Sequence, residues 1–461
     1  MKTSHLVAPL FLGLAFSSIA CVGEAGGSGG APDPGPLPEP TDWHALITGP
    51  LDQESMTVAV GADGRVVLAG YAEGITDFGL GATTAIGVHD LFVAAYAPDG
   101  HPLFARRFGG QDVVTLDMAV DADGFIYVTG LYGDGPLTLG DTVLELQGLY
   151  DGFVAKLDPE GEPLWAHRWG GPDEISQGGA VVVADDGDVL VAGNQTYDLV
   201  FSRFSPDGEV LFETHAGSGM PNTGLDSAIR DAVLTPDGDL VVTGDSISPL
   251  DLGGAHSEGK FPVILAARIS GADGHPLWAR AFGSEEGFYA NAGNAVVLAP
   301  DGDPVLVGSF AGTLDFDDAA LEGNGAFLVK LSAETGEHVW SRTLAASRTS
   351  LSVDVDGELC VSGSTWDPQQ IAGADVPAGS FLLGVSPADG ADLWARPVPE
   401  LGVFVSESEN GSFGSGDFAI GPDGQSVFVT SFFDASQTSF GPIESRGWGD
   451  VLVVQITAAS P

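Results

Sequence analysis

Short apolar runs broken by Asp-Gly pairs recur along almost the whole chain. The pattern is clearest between residues 117 and 171. Four apolar runs, 118–120, 125–129, 153–157 and 163–169, stand there in order, with Asp123-Gly124 between the first two and Glu160-Gly161 between the last two. Asp-Gly flanked by apolar runs predicts a hairpin closed by a type I′ turn, because such a turn needs φ > 0 and glycine reaches it cheaply. The stretch therefore predicts one antiparallel meander of four strands, a–b–c–d.

The unit repeats. Its a–b turn recurs at Asp63-Gly64, Asp123-Gly124, Asp186-Gly187, Asp237-Gly238, Asp301-Gly302, Asp356-Gly357 and Asp423-Gly424. Its c–d turn recurs at Asp99-Gly100, Glu160-Gly161, Asp207-Gly208, Asp273-Gly274, Thr335-Gly336 and Asp389-Gly390. Strand d carries an aromatic residue at Phe104, Trp165, Phe212, Trp278, Trp340 and Trp394. The last unit thus lacks a strand d, while Trp43-His44-Ala45-Leu46 is a strand d with no a–b–c before it. A lone meander cannot bury both of its faces, but blades packed around a ring can. The expected fold is all-β: a seven-bladed β-propeller of four-stranded antiparallel blades, over residues 43–461, closed by an N-terminal strand that completes the last blade.

In such a ring the a–b and c–d turns share one face, and the b–c and d–a connections share the other. The first set is uniform. The second differs from unit to unit and covers residues 71–89, 131–150, 217–230, 245–260, 310–325, 365–379, 401–416 and 432–449. Variable loops on a rigid scaffold are where recognition sits, so this face is the expected binding surface. The third unit has almost no b–c insert and should be the smallest blade.

The N-terminus reads differently. Lys2, an apolar run from Leu6 to Ile19 and the small residues before Cys21 describe an export signal over residues 1–20. Ser18-Ile19-Ala20-Cys21 resembles a bacterial lipobox, which implies lipidation of Cys21, with ordinary cleavage after Ala20 as the alternative. Residues 21–42 are rich in Gly and Pro and predict a disordered tether. The chain carries 64 acidic against 16 basic side chains, a formal charge of −48. Nucleic acid needs a basic stripe and is excluded as a partner. Anionic lipid would repel this surface, so the membrane is reached only through a lipid anchor. The second cysteine, Cys360, stands in an apolar b strand and reads as a small buried hydrophobe.

Chemistry-bearing motifs are few. Gly26–Gly30 matches G-x-S-x-G but lies in the tether, where no strand–turn–helix can form. Residues 254–261 match most of a phosphate loop but end in Phe261 ahead of an expected strand. Asp121-Ala122-Asp123-Gly124 and Asp354-Val355-Asp356-Gly357 suggest at most weak calcium binding, since a tight turn offers too few oxygens. The histidines show no metal-ligand spacing, so no metal or catalytic residue is assigned. Trp366 and Trp448 fall outside the strand-d register, in b–c loops beside Asp367 and Arg446. Exposed Trp beside polar groups suits a sugar or peptide, so these four are the candidate ligand-binding residues.

Thr76-Asp77-Phe78-Gly79, Leu250-Asp251-Leu252-Gly253 and Leu314-Asp315-Phe316-Asp317, with the following D-x-F-V-A-K-L run as in 151–157 and the later Trp165, resemble the bacterial seven-bladed propeller repeats often called SBBP repeats. That resemblance implies an exported or surface-anchored protein. Ala333-Glu334-Thr335-Gly336-Glu337-His338-Val339-Trp340 is similar to the tryptophan-docking repeat of pyrroloquinoline quinone propellers, a repeat also present in the outer-membrane barrel-assembly lipoprotein. The leading expectation is a monomeric, non-enzymatic binding or scaffold protein without a cofactor, at the outer membrane or cell surface or otherwise periplasmic or secreted, whose variable face meets a protein or glycan. The alternative is a quinone-type dehydrogenase or a non-catalytic relative of one.

Overall fold

The computed structural model describes residues 41–196, 198–217, 227–246, 252, 263–283, 291–316, 318–401, 416–432, 435–438, 441–446 and 449–457. The export signal, Cys21, Trp448, the phosphate-loop match and the G-x-S-x-G match lie outside the described residues.

Seven four-stranded antiparallel sheets form seven blades. The second blade has strands Asp112–Val120, Ile126–Gly133, Tyr150–Leu157 and Pro163–Trp169 as a, b, c and d. The first begins with Gln53–Val60, and the third consists of Ser176–Val183, Val189–Gln195, Asp198–Phe204 and Val210–Gly217. Strands b and c are buried on both faces, which is why they read as unbroken apolar runs rather than as alternation. Strand d is only half-covered. The innermost strands a pack against one another around a complete circle, the seventh against the first included. Facing blades share their apolar side chains: Val67, Val93 and Phe104 of the first blade cluster with Met118, Val128 and Phe153 of the second.

Closure occurs as the repeat count predicts. Trp43–Ile47 is the outer strand of the seventh blade and pairs antiparallel with Asp450–Ile456, Trp43 opposite Gln455 and Ile47 opposite Val451. The third blade is the smallest, since two residues join its strands b and c.

Two sequence expectations are corrected. The a–b Asp-Gly turns are not type I′: only their glycines take positive φ, from +75° at Gly424 to +87° at Gly302, while the aspartates do not. Gly64 N–H donates to the Gly61 carbonyl at 2.9 Å and Gly61 N–H to the Arg65 carbonyl at 2.8 Å, so a type I turn precedes a left-handed glycine bulge. The connection is longer than the Asp-Gly pair alone suggests. Moreover, residues 71–89 and 310–325 are largely not loops. Strands b and c of the first and fifth blades run on through them as long hairpins, Val66–Asp77 with Ala82–Tyr96 and Pro304–Asp315 with Ala320–Leu331.

The blades are locked by one repeated contact. The strand-d aromatic of every blade but the sixth lies on the c–d turn glycine of the next. A Cβ on Gly100 would stand 2.6 Å from the Trp43 ring, one on Gly161 2.6 Å from Phe104, and one on Gly336 2.5 Å from Trp278. Gly208 meets Trp165, Gly274 meets Phe212 and Gly390 meets Trp340 in the same way. Four of the docked aromatics are tryptophans, and each donates its indole N–H to the turn: Trp43 to Pro98 O at 3.0 Å, Trp165 to Pro206 O at 3.0 Å, Trp278 to Ala333 O at 2.9 Å and Trp340 to Pro387 O at 3.3 Å. Where phenylalanine replaces tryptophan, a basic side chain reaches the corresponding turn carbonyl, Arg65 to Pro159 O and Arg203 to Gly271 O, both at 2.7 Å. Truncating a buried Trp costs about 3–5 kcal/mol. Trp43→Ala should therefore destabilise the ring by that order, and deleting residues 43–47 should lower the melting temperature by many degrees in a circular-dichroism melt. An unchanged melt would contradict closure by this strand.

Candidate functional site

Of the candidate ligand-binding residues, the three described ones, Trp366, Asp367 and Arg446, belong to the b–c face. Trp366 follows strand Leu359–Thr365 of the sixth blade and is 69% exposed, with exposed Asp367 beside it. Arg446 belongs to the next blade, exposes its side chain and donates its backbone N–H to Asp450 Oδ2 at 2.6 Å. The aspartate that opens strand c thus shapes the loop before it. Asp151 does the same in the second blade, while Asp90 accepts the N–H groups of Ile86 and Gly87 within strand c of the first; both also hold a strand-d arginine, Arg107 at 3.0 Å and Arg168 at 3.1 Å.

The densest chemistry on that face was not legible as a motif. His89 Nε2 lies 2.5 Å from Glu73 Oε1, and its Nδ1 lies 3.4 Å from Asp112 of the second blade. Tyr150 donates to Asp112 at 2.6 Å, and Tyr71 is within 3.0 Å of both Asp52 and Glu54. Hydrogen bonding to Asp112 and Glu73 holds the His89 pKa above its ordinary value against the opposing effect of burial. The His89 bond, with that of Tyr150, holds Asp112 low, whereas burial raises Asp52. Burial and the Asp112 contact push Tyr150 up to about 12. An imidazolium donates from both nitrogens, so the network ties two blades together and can hold a proton among carboxylates. Its members come from five strands and two blades, and no local spacing joins them.

A second feature lines the channel. The inner edge of each strand a has N–H groups with no neighbouring strand to receive them. Asp117 Oδ2 accepts the N–H of Val181 at 2.7 Å, Asp231 Oδ2 that of Val296 at 2.7 Å and Asp417 Oδ2 that of Val58 at 2.9 Å. Each carboxylate spans from its own blade to the next, and its Oδ1 accepts the following residue's N–H. All three are buried. The available signal was an aspartate six positions before the turn aspartate in three of the seven units.

The turn face holds a cavity of about 990 Å³ between the a–b turns of the second, third and fourth blades. Its floor includes Met118, Val181, Val233 and Leu298. Asp121, Asp123, Asp185, Asp186, Asp237 and Asp239 face it, against Lys156 and Arg203. Lys156 is held by Pro206 O at 3.1 Å, and Arg203 by Asp186 at 2.9 Å and Asp188 at 2.7 Å.

Residues 150–381, just over half of the chain, match the PQQ_2 family, described as outer membrane protein assembly factor BamB. The chain belongs to this BamB family. A search of curated proteins returns no match. Among solved structures, a protein from Lactobacillus plantarum is 16% identical, with 84% of this chain and 98% of that chain covered and a TM-score of 0.44. A quinohemoprotein alcohol dehydrogenase from Pseudomonas putida HK5 is 10% identical, with coverage of 91% and 77% and a TM-score of 0.37. A virginiamycin B lyase from Staphylococcus aureus is 12% identical, with coverage of 75% and 96% and a TM-score of 0.40.

The quinone for which PQQ propellers are named is a tricarboxylate, and it does not fit the turn-face cavity of this BamB-family chain. Carboxylates dominate the lining, and both cations there already have partners. Among the described residues, no group of three or more His, Cys, Asp or Glu side chains is arranged to hold a metal ion. No helix among them is long and apolar enough to cross a membrane.

Burial, with the charge of Asp117 adding to it, pushes the Asp417 carboxyl up to about 8 from its ordinary 3.8. Between those values the folded chain keeps a proton that the unfolded chain releases, so this group's contribution to stability falls as pH rises through the window. Asp417→Asn removes the titration. Its melting temperature relative to the native chain should rise between about pH 5 and about pH 8. A gap that does not change with pH would contradict the assignment.

Proposed function

We propose that the chain is a non-enzymatic, extracytoplasmic binding or scaffold protein whose b–c face meets a protein partner. The observation that carries this reading is the long hairpin of the first blade. Alternation along Ala82–Tyr96 turns Ala82, Thr84, Ile86 and Val88 outward, and Ile86 is 67% exposed. Ile75, Leu80 and Leu51 expose apolar surface on the same blade. Contiguous exposed apolar surface rimmed by polar groups marks an interaction site. The acidic His89 network beside it gives that surface a polar rim.

The family description, an outer membrane protein assembly factor, supports a scaffolding task. Within that reading the chain is a monomer of the SBBP-repeat type, tethered by lipidated Cys21 through residues 21–42 to the outer membrane or cell surface. On the same reading, contact with a glycan falls to Trp366, Asp367, Arg446 and Trp448, the side chains whose chemistry suits one. Calcium, if bound, is held weakly at the acidic turns.

The test is chemical cross-linking of the tagged, anchored protein on intact producing cells, with neighbours identified by mass spectrometry. A small reproducible set of partners is expected, linked through the b–c face. Ile86→Glu with Val88→Glu should deplete that set while shifting stability by only about 0.5 kcal/mol, as surface changes do. An unchanged partner set in this variant would overturn the assigned surface. Recovery of the protein alone would overturn the scaffold reading.

A further inference from the structure

The opposite face carries its own concave site. We propose that the turn-face cavity of the second to fourth blades binds an organic polycation through its alkylammonium groups.

The volume, about 990 Å³, is at the upper end of the roughly 300–1,000 Å³ typical of small-ligand pockets. The apolar floor can take methylene chains, and the rim can take charge. Six carboxylates line it with Lys156 and Arg203; Asp186 is paired with Arg203, and Asp237 and Asp239 with Arg268, which leaves Asp121, Asp123 and Asp185 without an ion-pair partner among the described residues. The side-chain carboxylates of Asp123 and Asp185 are exposed and have no hydrogen-bond or ion-pair partner among the described residues.

The cavity wall already holds one ammonium. Lys156 is buried, with Nζ 4.5 Å from the centre of the Phe125 ring and 5.2 Å from that of Tyr127, and 3.1 Å from the Pro206 carbonyl. Aromatic faces, a carbonyl and nearby carboxylates are the groups that hold an alkylammonium out of water. Phe125, Tyr127 and Pro206 all line the cavity.

Other ligand classes fit less well. An anion meets the carboxylates. A divalent metal needs several oxygens converging on one point, and no such group occurs among the described residues. A neutral sugar would bond Asp123 and Asp185 through its hydroxyls but leave their charge uncompensated. A flexible chain with amines spaced along it can instead reach turns from several blades at once. Such amines come from a free polyamine or from the lysines of a partner's basic segment. The inference is independent of the loop-face reading, since it concerns other residues on the other face.

The experiment is isothermal titration of the mature chain with spermidine and, separately, with a short peptide carrying two lysines. One saturable site per chain is expected for at least one of them. If the triamine binds more tightly, the source is a free polyamine. If the peptide does, the source is a partner's lysines. Asp123→Asn with Asp185→Asn should weaken binding about tenfold or more, since two of the rim's charges are lost. Asp356→Asn with Asp423→Asn removes the same charge from a–b turns outside the cavity and should leave the affinity unchanged. A melt of each variant checks that the fold is intact. Equal weakening in both pairs, or many weak sites per chain, would identify counterion attraction to an acidic surface and overturn the proposal, as would no binding of either probe.

Discussion

The architecture depends on an aromatic ring lying on a glycine of the neighbouring blade. Six of the seven junctions use it. The glycine has to be glycine for two reasons: its φ is positive, and any Cβ would enter the ring. The junction from the sixth blade to the seventh is the exception. The outer strand of the seventh blade comes from the N-terminus, so that blade has no c–d turn to receive Trp394, whose indole N–H bonds Glu358 in its own blade at 3.1 Å. Circular closure thus removes one docking site and adds another, because the strand that closes the ring brings Trp43 to Gly100.

Once the ring is closed, polar groups complete it. The inner edges of seven strands face a channel, and Asp117, Asp231 and Asp417 satisfy three of the exposed N–H groups while stitching blades in pairs. Burying these carboxylates is costly, and the upward shift of Asp417 reflects that cost. The outer parts of the blades are joined at the turn carbonyls by tryptophan and basic side chains. Lys156, Arg203, Arg268 and Lys330 each reach from strand c to the c–d turn of the following blade. Much of the small basic complement is therefore structural, and Arg203, Arg268 and Lys330 also pair with a–b turn carboxylates of their own blades.

The blade number and closure were legible because a repeat can be counted. Trp43 without its own a–b–c and Val451 without a following d leave only one way to complete seven blades. Turn geometry was less legible. Asp-Gly alone does not reveal whether a loop has two residues or four, and side-chain bonds such as Asp121 to the N–H groups of Asp123 and Phe125 favour the longer form. The first-blade hairpin does not look like strand in the sequence, because its outward face, with Thr84, Ile86 and Val88, mixes polar and apolar residues where a buried strand would not. The His89 network and the turn-face cavity were not legible at all. Their residues are tens of positions apart and meet only because consecutive blades are adjacent. Trp366 and Trp448 stand out in the sequence as departures from the repeat, with Asp367 and Arg446 beside them, the one local signal that a propeller gives for its surface.

Hydrogen–deuterium exchange followed by mass spectrometry tests the central claim, that the N-terminal strand is an integral part of a closed, interlocked ring. The account predicts that the amides of residues 43–47 bonded to residues 450–456 exchange as slowly as those of the inner strand Gln53–Val60, opening only with the ring as a whole. Rapid, independent exchange of residues 43–47 beside protected inner strands would mean that the ring holds without its closing strand, and would contradict it.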